Sequence, residues 1–142
     1  MAYKIFLDIN VVMDYIIPDR SEHLSSTQLF SEIENNNLQA YFSESVINTT
    51  AYLVHKDISI NDFKILMNDL LSCIKVLPCS NAIVEDAYKN AKNDLEDAVL
   101  YQIALNGKMD YFITSNIKDF KKIAHPSLPV VTAKKMIDIL NS

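Results

Sequence analysis

Lys4-Ile5-Phe6-Leu7-Asp8-Ile9-Asn10 is the stretch on which the fold turns. An apolar run ends abruptly on an acid, and the spacing of apolar residues then changes to that of a helix over about Asn10–Ile17, broken at Pro18. A short buried strand followed by a helix opens a βα unit. The pattern recurs along the chain. Gln39–Phe42 reads as a strand before a helix over about Glu44–His55, and Lys75–Pro78 as a strand before a helix capped by Ser80 or Asn81. Tyr111-Phe112-Ile113-Thr114 is a fourth strand, and Val130-Val131 a short fifth before a closing helix over Ala133–Leu140. Between these lie a helix over Ser26–Asn36, stopped by Asn35-Asn36-Asn37, and an amphipathic one opened by Ser59-Ile60-Asn61-Asp62, a variant of the capping box. A last helix over Leu95–Asn106 meets Gly107 where a left-handed residue is wanted. Short apolar strands alternating with helices predict an α/β domain whose mostly parallel sheet is covered on both faces.

The 142 residues suit one domain spanning 1–142, and 49% hydrophobic with 22% charged residues is a globular balance. No apolar run approaches the roughly 18 residues of a membrane span. Asp8 arrives too early for a secretory signal, so the expected location is the cytoplasm. Cys73 and Cys79 form no metal or redox motif and are expected reduced and partly buried. His23, His55 and His125 are scattered, which argues against a histidine-based zinc site or a His-centred triad. Gly107 is the only glycine, so a glycine-rich phosphate loop or dinucleotide fingerprint is excluded. The net charge of −5, with twelve lysines and one arginine, Arg20, disfavours a broad basic surface for nucleic acid. It leaves room for an enzyme that meets a phosphate through a bound cation.

In an open parallel sheet, ligand sites form beyond the carboxyl ends of the strands. Asp8 follows the first strand, Asn116 and Asp119 follow the fourth, and Asp94, Glu96 and Asp97 occupy the first turn of the helix leading into that fourth strand. Three acidic segments can therefore converge at one sheet edge. Clustered carboxylates repel one another unless a cation sits among them, and hard oxygens suit Mg²⁺ or Mn²⁺. Each acid also has a plainer reading: Asp8 as a turn or cap, the helical trio as partners of the helix dipole, Asp119 as the end of a short helical turn. Their joint placement favours a site. Phe112, Phe120, Tyr41, Phe42 and Tyr52 read as packing residues, and Lys118, Lys121 and Lys122 as solvated surface or phosphate contacts. Asp14 and Glu22 read as exposed helix and loop acids, with the alternative that Asp14, two turns from Asp8, faces the cleft.

Phe6-Leu7-Asp8-Ile9-Asn10-Val11-Val12-Met13-Asp14 resembles the opening motif of PIN domains, an Asp and an Asn two positions on after the first strand. Asp94-Leu95-Glu96-Asp97-Ala98-Val99-Leu100-Tyr101 with Ala104 resembles their acidic helix, and Asp110 to Phe120 their last motif, a strand followed by Thr-x-Asn-x-x-Asp-Phe. Order and spacing match over nearly the whole chain. The resemblance implies a Rossmann-like α/β/α sandwich with about five parallel strands, and Mg²⁺- or Mn²⁺-dependent cleavage of single-stranded RNA. It implies a VapC-like toxin held by a small cognate antitoxin that often places an arginine or a helix in the acidic cleft; homodimers are common in the family. By motif, Asp8, Asp97 and Asp119 carry over as catalytic, metal-coordinating acids and Asp94 as a supplementary ligand. Asn10, Thr114 and Asn116 carry over as residues that orient those carboxylates or the substrate phosphate. One departure stands out: the Glu the family usually has after the second strand falls on Asn48 or Thr49, and Glu44 lies a turn earlier. That departure raises the alternative of a catalytically weakened PIN domain binding RNA or protein. A receiver or a dehalogenase-type phosphatase also places an Asp after its first strand, but the second Asp or the later Lys that their chemistry needs is missing.

Overall fold

The structure is a computed structural model describing residues 2–142. Among them, strands β1 (Tyr3–Leu7), β2 (Leu38–Ser43), β3 (Ile74–Leu77), β4 (Tyr111–Ile113) and β5 (Val130–Val131) form one sheet in the order β3-β2-β1-β4-β5, every pairing parallel. Helices α1 (Ile9–Ile16), α2 (His23–Glu34), α3 (Glu44–Leu53), α4 (Ile60–Leu71), α5 (Asn81–Asn90), α6 (Leu95–Asn106), α7 (Ile117–Lys121) and α8 (Ala133–Asn141) connect and cover it. α1, α2, α3 and α8 pack on one another, as do α5, α6 and α7, which gives the three-layer α/β/α arrangement. The chain builds outward from β1 through β2 to β3, then crosses back to place β4 on the other side of β1. The reversal between β1 and β4 is a topological switch point, where a crevice opens at the carboxyl ends of the strands.

The five strands fall within a residue or so of their sequence positions because each is bounded by polar residues that cannot continue into the core. Ile5, Phe6, Leu7, Phe42, Phe112 and Ile113 are fully buried, as an inner strand with both faces covered requires. Helix starts follow the expected chemistry: Ser59 Oγ accepts from the Asp62 amide at 3.1 Å and Ser80 Oγ from the Ile83 amide at 3.3 Å. α2 begins three residues earlier than its apolar spacing indicates, because His23 Nδ1 bonds the Asp14 carbonyl oxygen at 2.8 Å and holds the chain in helical position. Gly107 is not left-handed as expected. Its φ is −75°, and the left-handed residue is the next one, Lys108, at φ 58°. A side chain at Gly107 would place its Cβ 3.1 Å from Leu77 Cδ1, so close packing against the end of β3 is what the glycine serves. Tyr52, expected to pack, is 74% exposed on the outer face of α3.

Phe112 organises the layer that carries the acids. It stacks beside Phe6 at a centroid distance of 5.4 Å, meets Phe120 of α7 at 4.5 Å and Tyr101 of α6 at 5.4 Å. The Tyr101 hydroxyl accepts from the His125 amide at 2.8 Å and donates to the Leu128 carbonyl at 2.7 Å, stitching α6 to the chain that leads into β5. Tyr101→Phe would leave these buried groups unpaired and is expected to lower stability by about 1–3 kcal/mol, read from the urea midpoint at unchanged slope.

Candidate active site

Parallel pairing of Leu7 with Ile113 puts the next residues of both strands, Asp8 and Thr114, side by side at the switch point. Both are buried. The Asp8 amide continues the ladder to the Ile113 carbonyl at 3.0 Å, while its carboxylate makes no capping bond to α1. Instead Asp8 Oδ2 accepts from Thr114 Oγ1 at 2.7 Å and from Asn10 Nδ2 at 3.4 Å. Thr114 Oγ1 in turn accepts from the Asn116 amide at 2.9 Å, and Asn116 Nδ2 donates to Asp119 Oδ2 at 2.7 Å. One hydrogen-bonded chain thus runs from Asp8 through Thr114 and Asn116 to Asp119. Asp8 thus stands at the N-cap position of α1 while its carboxylate is committed to Thr114 and Asn10.

The third acid comes from α6. Asp94 is its N-cap, with Oδ1 accepting from the Asp97 amide at 3.0 Å, so its capping role is real whatever else it does. Asp97 is half-buried one turn before Tyr101, whose packing on Phe112 aims this face of α6 at the sheet end. Asp94, Asp97 and the exposed Asp119 line a cavity of about 190 Å³ with Lys92, Asn93, Lys122 and Ile123. Of the three lysines near the last motif, only Lys122 reaches this cavity; Lys92 and Asn93, just ahead of α6, carry no sequence signal beyond their proximity to Asp94.

The acids feel one another. Burial pushes the Asp8 carboxyl up to about 6, with the Thr114 hydroxyl, the nearby Ile9 and Asn10 amides and the Asn10 side chain pulling part of the way back. Asp97 is pushed up to about 7, first by burial and then by the negative charges of Asp94, Asp8, Asp119 and Glu96. Glu44 is not among those charges. It is exposed at the start of α3 and lines a separate pocket with Leu77, Val99 and Ile103, while Asn48 and Thr49 offer no acid in its place. Asp14, expected exposed, is buried at 3% exposure because its carboxylate turns inward to an ion pair with Arg20.

Hard carboxylate oxygens of this kind suit a divalent cation, and no cationic side chain lies within 4.0 Å of Asp8, Asp94, Asp97 or Asp119 among the described residues. Nor, among those residues, are three His, Cys, Asp or Glu side chains already gathered at metal-ligand spacing. The fit is therefore one of donor chemistry and uncompensated charge. No helix is long and apolar enough to cross a membrane among the described residues.

A family model described as "PIN domain" matches residues 4–118. Ribonuclease VapC1 of Aquifex aeolicus (strain VF5) is 29% identical over 148 residues, covering 98% of this chain and 96% of that protein. Among solved structures, VapBC2 from Rickettsia felis, bound to a DNA fragment from its promoter, superposes with a TM-score of 0.67 at 17% identity, over 91% of this chain and 98% of that one. VapC20 from Mycobacterium tuberculosis, a sarcin-ricin loop cleaving toxin, gives 0.62 at 12% identity, over 76% of this chain and 86% of that one. At these identities the superpositions speak for the fold alone.

Asp97 titrates higher in the folded chain than its ordinary 3.8, reaching about 7, and Asp8 about 6. Between those limits the folded state binds more protons than the unfolded one, so stability is greatest at the acidic end and falls as pH rises. In EDTA, Tm is expected to decline from about pH 5 to about pH 8. Asp97→Asn should raise Tm at the alkaline end and flatten that decline. A wild-type Tm that climbs over this range would contradict the raised values.

Proposed function

The chain belongs to the PIN-domain family, and from that membership we propose that it is a Mg²⁺- or Mn²⁺-dependent endoribonuclease cutting single-stranded RNA, the toxin of a toxin–antitoxin pair. The observation that carries the reading is the hydrogen-bonded chain from Asp8 to Asp119 at the switch point, with Asp97 facing it and, among the described residues, no positive side chain within 4.0 Å of these acids. The name of the 29% identical relative, a VapC ribonuclease, points the same way. An RNA substrate of this kind and a cognate antitoxin place the activity in the cytoplasm.

Asp8, Asp97 and Asp119 would hold the cation, with the second oxygen of Asp94 at the margin. When bound, it would polarise a phosphoryl oxygen and lower the pKa of a water for attack on phosphorus. The chain's own residues prepare that site. Thr114 Oγ1 and Asn10 Nδ2 fix the buried Asp8 carboxylate, and Asn116 Nδ2 fixes Asp119, so that neither must reorganise when substrate arrives. Lys92 and Lys122, lining the same cavity, would supply local positive charge for a substrate phosphate. An antitoxin arginine or helix would find in the same cleft the negative charge it needs.

Purified protein is expected to cleave single-stranded RNA with Mg²⁺ or Mn²⁺ and not in EDTA. Asp8→Asn and Asp97→Asn should abolish cleavage and the growth arrest that expression causes. Thr114→Val, which removes the bond to Asp8 while keeping its shape, should slow cleavage by about 10–100-fold. Glu44→Gln should leave it unchanged, since Glu44 lies outside the acid group. Growth arrest that persists in Asp97→Asn would favour a binding role over a nuclease.

A further inference from the structure

Asp14 sits on α1 at 3% exposure, and a buried carboxylate must be paired or neutralised. Its partner is Arg20, the only arginine in the chain, with Nε 2.6 Å from Asp14 Oδ1. This is the one ion pair within 4.0 Å among the described residues. Arg20 reaches it from the loop after α1, and His23 Nδ1 bonds the Asp14 carbonyl from the start of α2, so loop and helix are both tied to this residue.

The pair is incomplete in an informative way. A guanidinium that serves only to neutralise a carboxylate can make two parallel bonds to it. Here only Nε is engaged. Asp14 Oδ2 is buried without a hydrogen-bond partner, and the terminal nitrogens of Arg20 donate to nothing among the described residues. Arg20 remains 33% exposed and lines an open pocket of about 380 Å³ with Asp14, Ser21, Glu22 and Ser115. Ser115 lies between Thr114, which holds Asp8, and Asn116, which holds Asp119. The pocket therefore shares with the acid cluster the segment after β4, while none of its lining residues lines the cavity of Lys92 and Lys122.

We propose that this pocket is a phosphate subsite that takes an RNA phosphodiester beside the one being cut, with Arg20 as the binding group and Asp14 as the residue that positions it; the assignment rests on the ribonuclease reading above. The free edge of a guanidinium presents paired N–H donors that match two non-bridging oxygens, which a lysine ammonium does not. The hydroxyls of Ser21 and Ser115 supply further donors. Asp14 fixes the direction of the fork, so less side-chain entropy is lost when the anion docks. Two lining carboxylates oppose an anion: Asp14, whose charge is offset by its pair with Arg20, and Glu22, which is exposed, where solvent and salt screen it.

Fluorescence anisotropy with labelled single-stranded RNA, in Ca²⁺ as an oxygen-seeking cation, tests the proposal. The paired variant Asp14→Asn/Arg20→Gln removes both charges and so strands neither in the interior. It is expected to bind on the order of tenfold more weakly whatever the RNA sequence. Its slope of log K against log salt should fall by about 0.7, the loss of a single phosphate contact to a single strand. Arg20→Lys keeps a charge but loses the fork; it should bind more weakly at a nearly unchanged slope, and it serves alone if the paired variant does not fold. Glu22→Gln should tighten binding. Unchanged affinity and slope in the paired variant or in Arg20→Lys would overturn the subsite, as would weakening confined to RNAs carrying one particular base, which would make the pocket a base reader. Wild-type protein that binds no RNA at all would instead sink the ribonuclease reading, and the subsite with it.

Discussion

The buried hydrogen bond from Thr114 Oγ1 to Asp8 Oδ2, 2.7 Å long, is the interaction on which the rest of the site depends. It exists because β1 and β4, more than a hundred residues apart, are neighbours in the sheet, and because the ladder leaves both residues at the same level just past its end. A carboxylate with 2% exposure and no such partner would be costly to bury. With it, Asp8 becomes a fixed point from which Asn116 and Asp119 are placed by two further bonds. The Phe6–Phe112–Phe120 stack beneath keeps β1, β4 and α7 from shifting against each other, and Tyr101 brings α6, and so Asp97, to the same place.

The electrostatics of this arrangement explain how an acidic protein can be built for an anionic polymer. Negative charge is concentrated where the strands end, and burial together with those neighbouring charges pushes the Asp97 carboxyl up to about 7. Three cations stand close to it: Lys92 and Lys122, in the cavity with Asp94, Asp97 and Asp119, and Arg20, held by Asp14, in the pocket that Ser115 also lines. A strongly basic surface would attract nucleic acid without regard to position. At a net charge of −5 the chain carries no such excess, and these three cations are the ones set beside the carboxylate cluster.

Much of this was legible in the residues. The strands were visible because each is a short apolar run ending on a polar residue, and the acids were visible because strand ends are where open parallel sheets form sites. Errors arose where a residue's setting depends on a distant neighbour. Asp14 looked solvent-facing in a helix of mixed polarity, yet Arg20 folds back to pair with it. Tyr52 looked like a packing residue, yet nothing covers its face of α3 among the described residues. Gly107 looked like a left-handed cap, yet the turn is made one residue later and the glycine answers to Leu77 of another strand.

The sequence alone determined the alternation of strands and helices, the class of sheet they form, and which carboxylates stand at strand ends, because local periodicity and polar boundaries carry that information. Only the tertiary structure decided that the Asp8 carboxylate is held by Thr114, that Glu44 stands apart, and that Arg20 faces a pocket beside the acids. The bond between Asp8 and Thr114 joins residues more than a hundred positions apart, and the places of Glu44 and Arg20 depend on elements that meet only in the folded chain. Strand order and helix packing set them, and no local pattern records them.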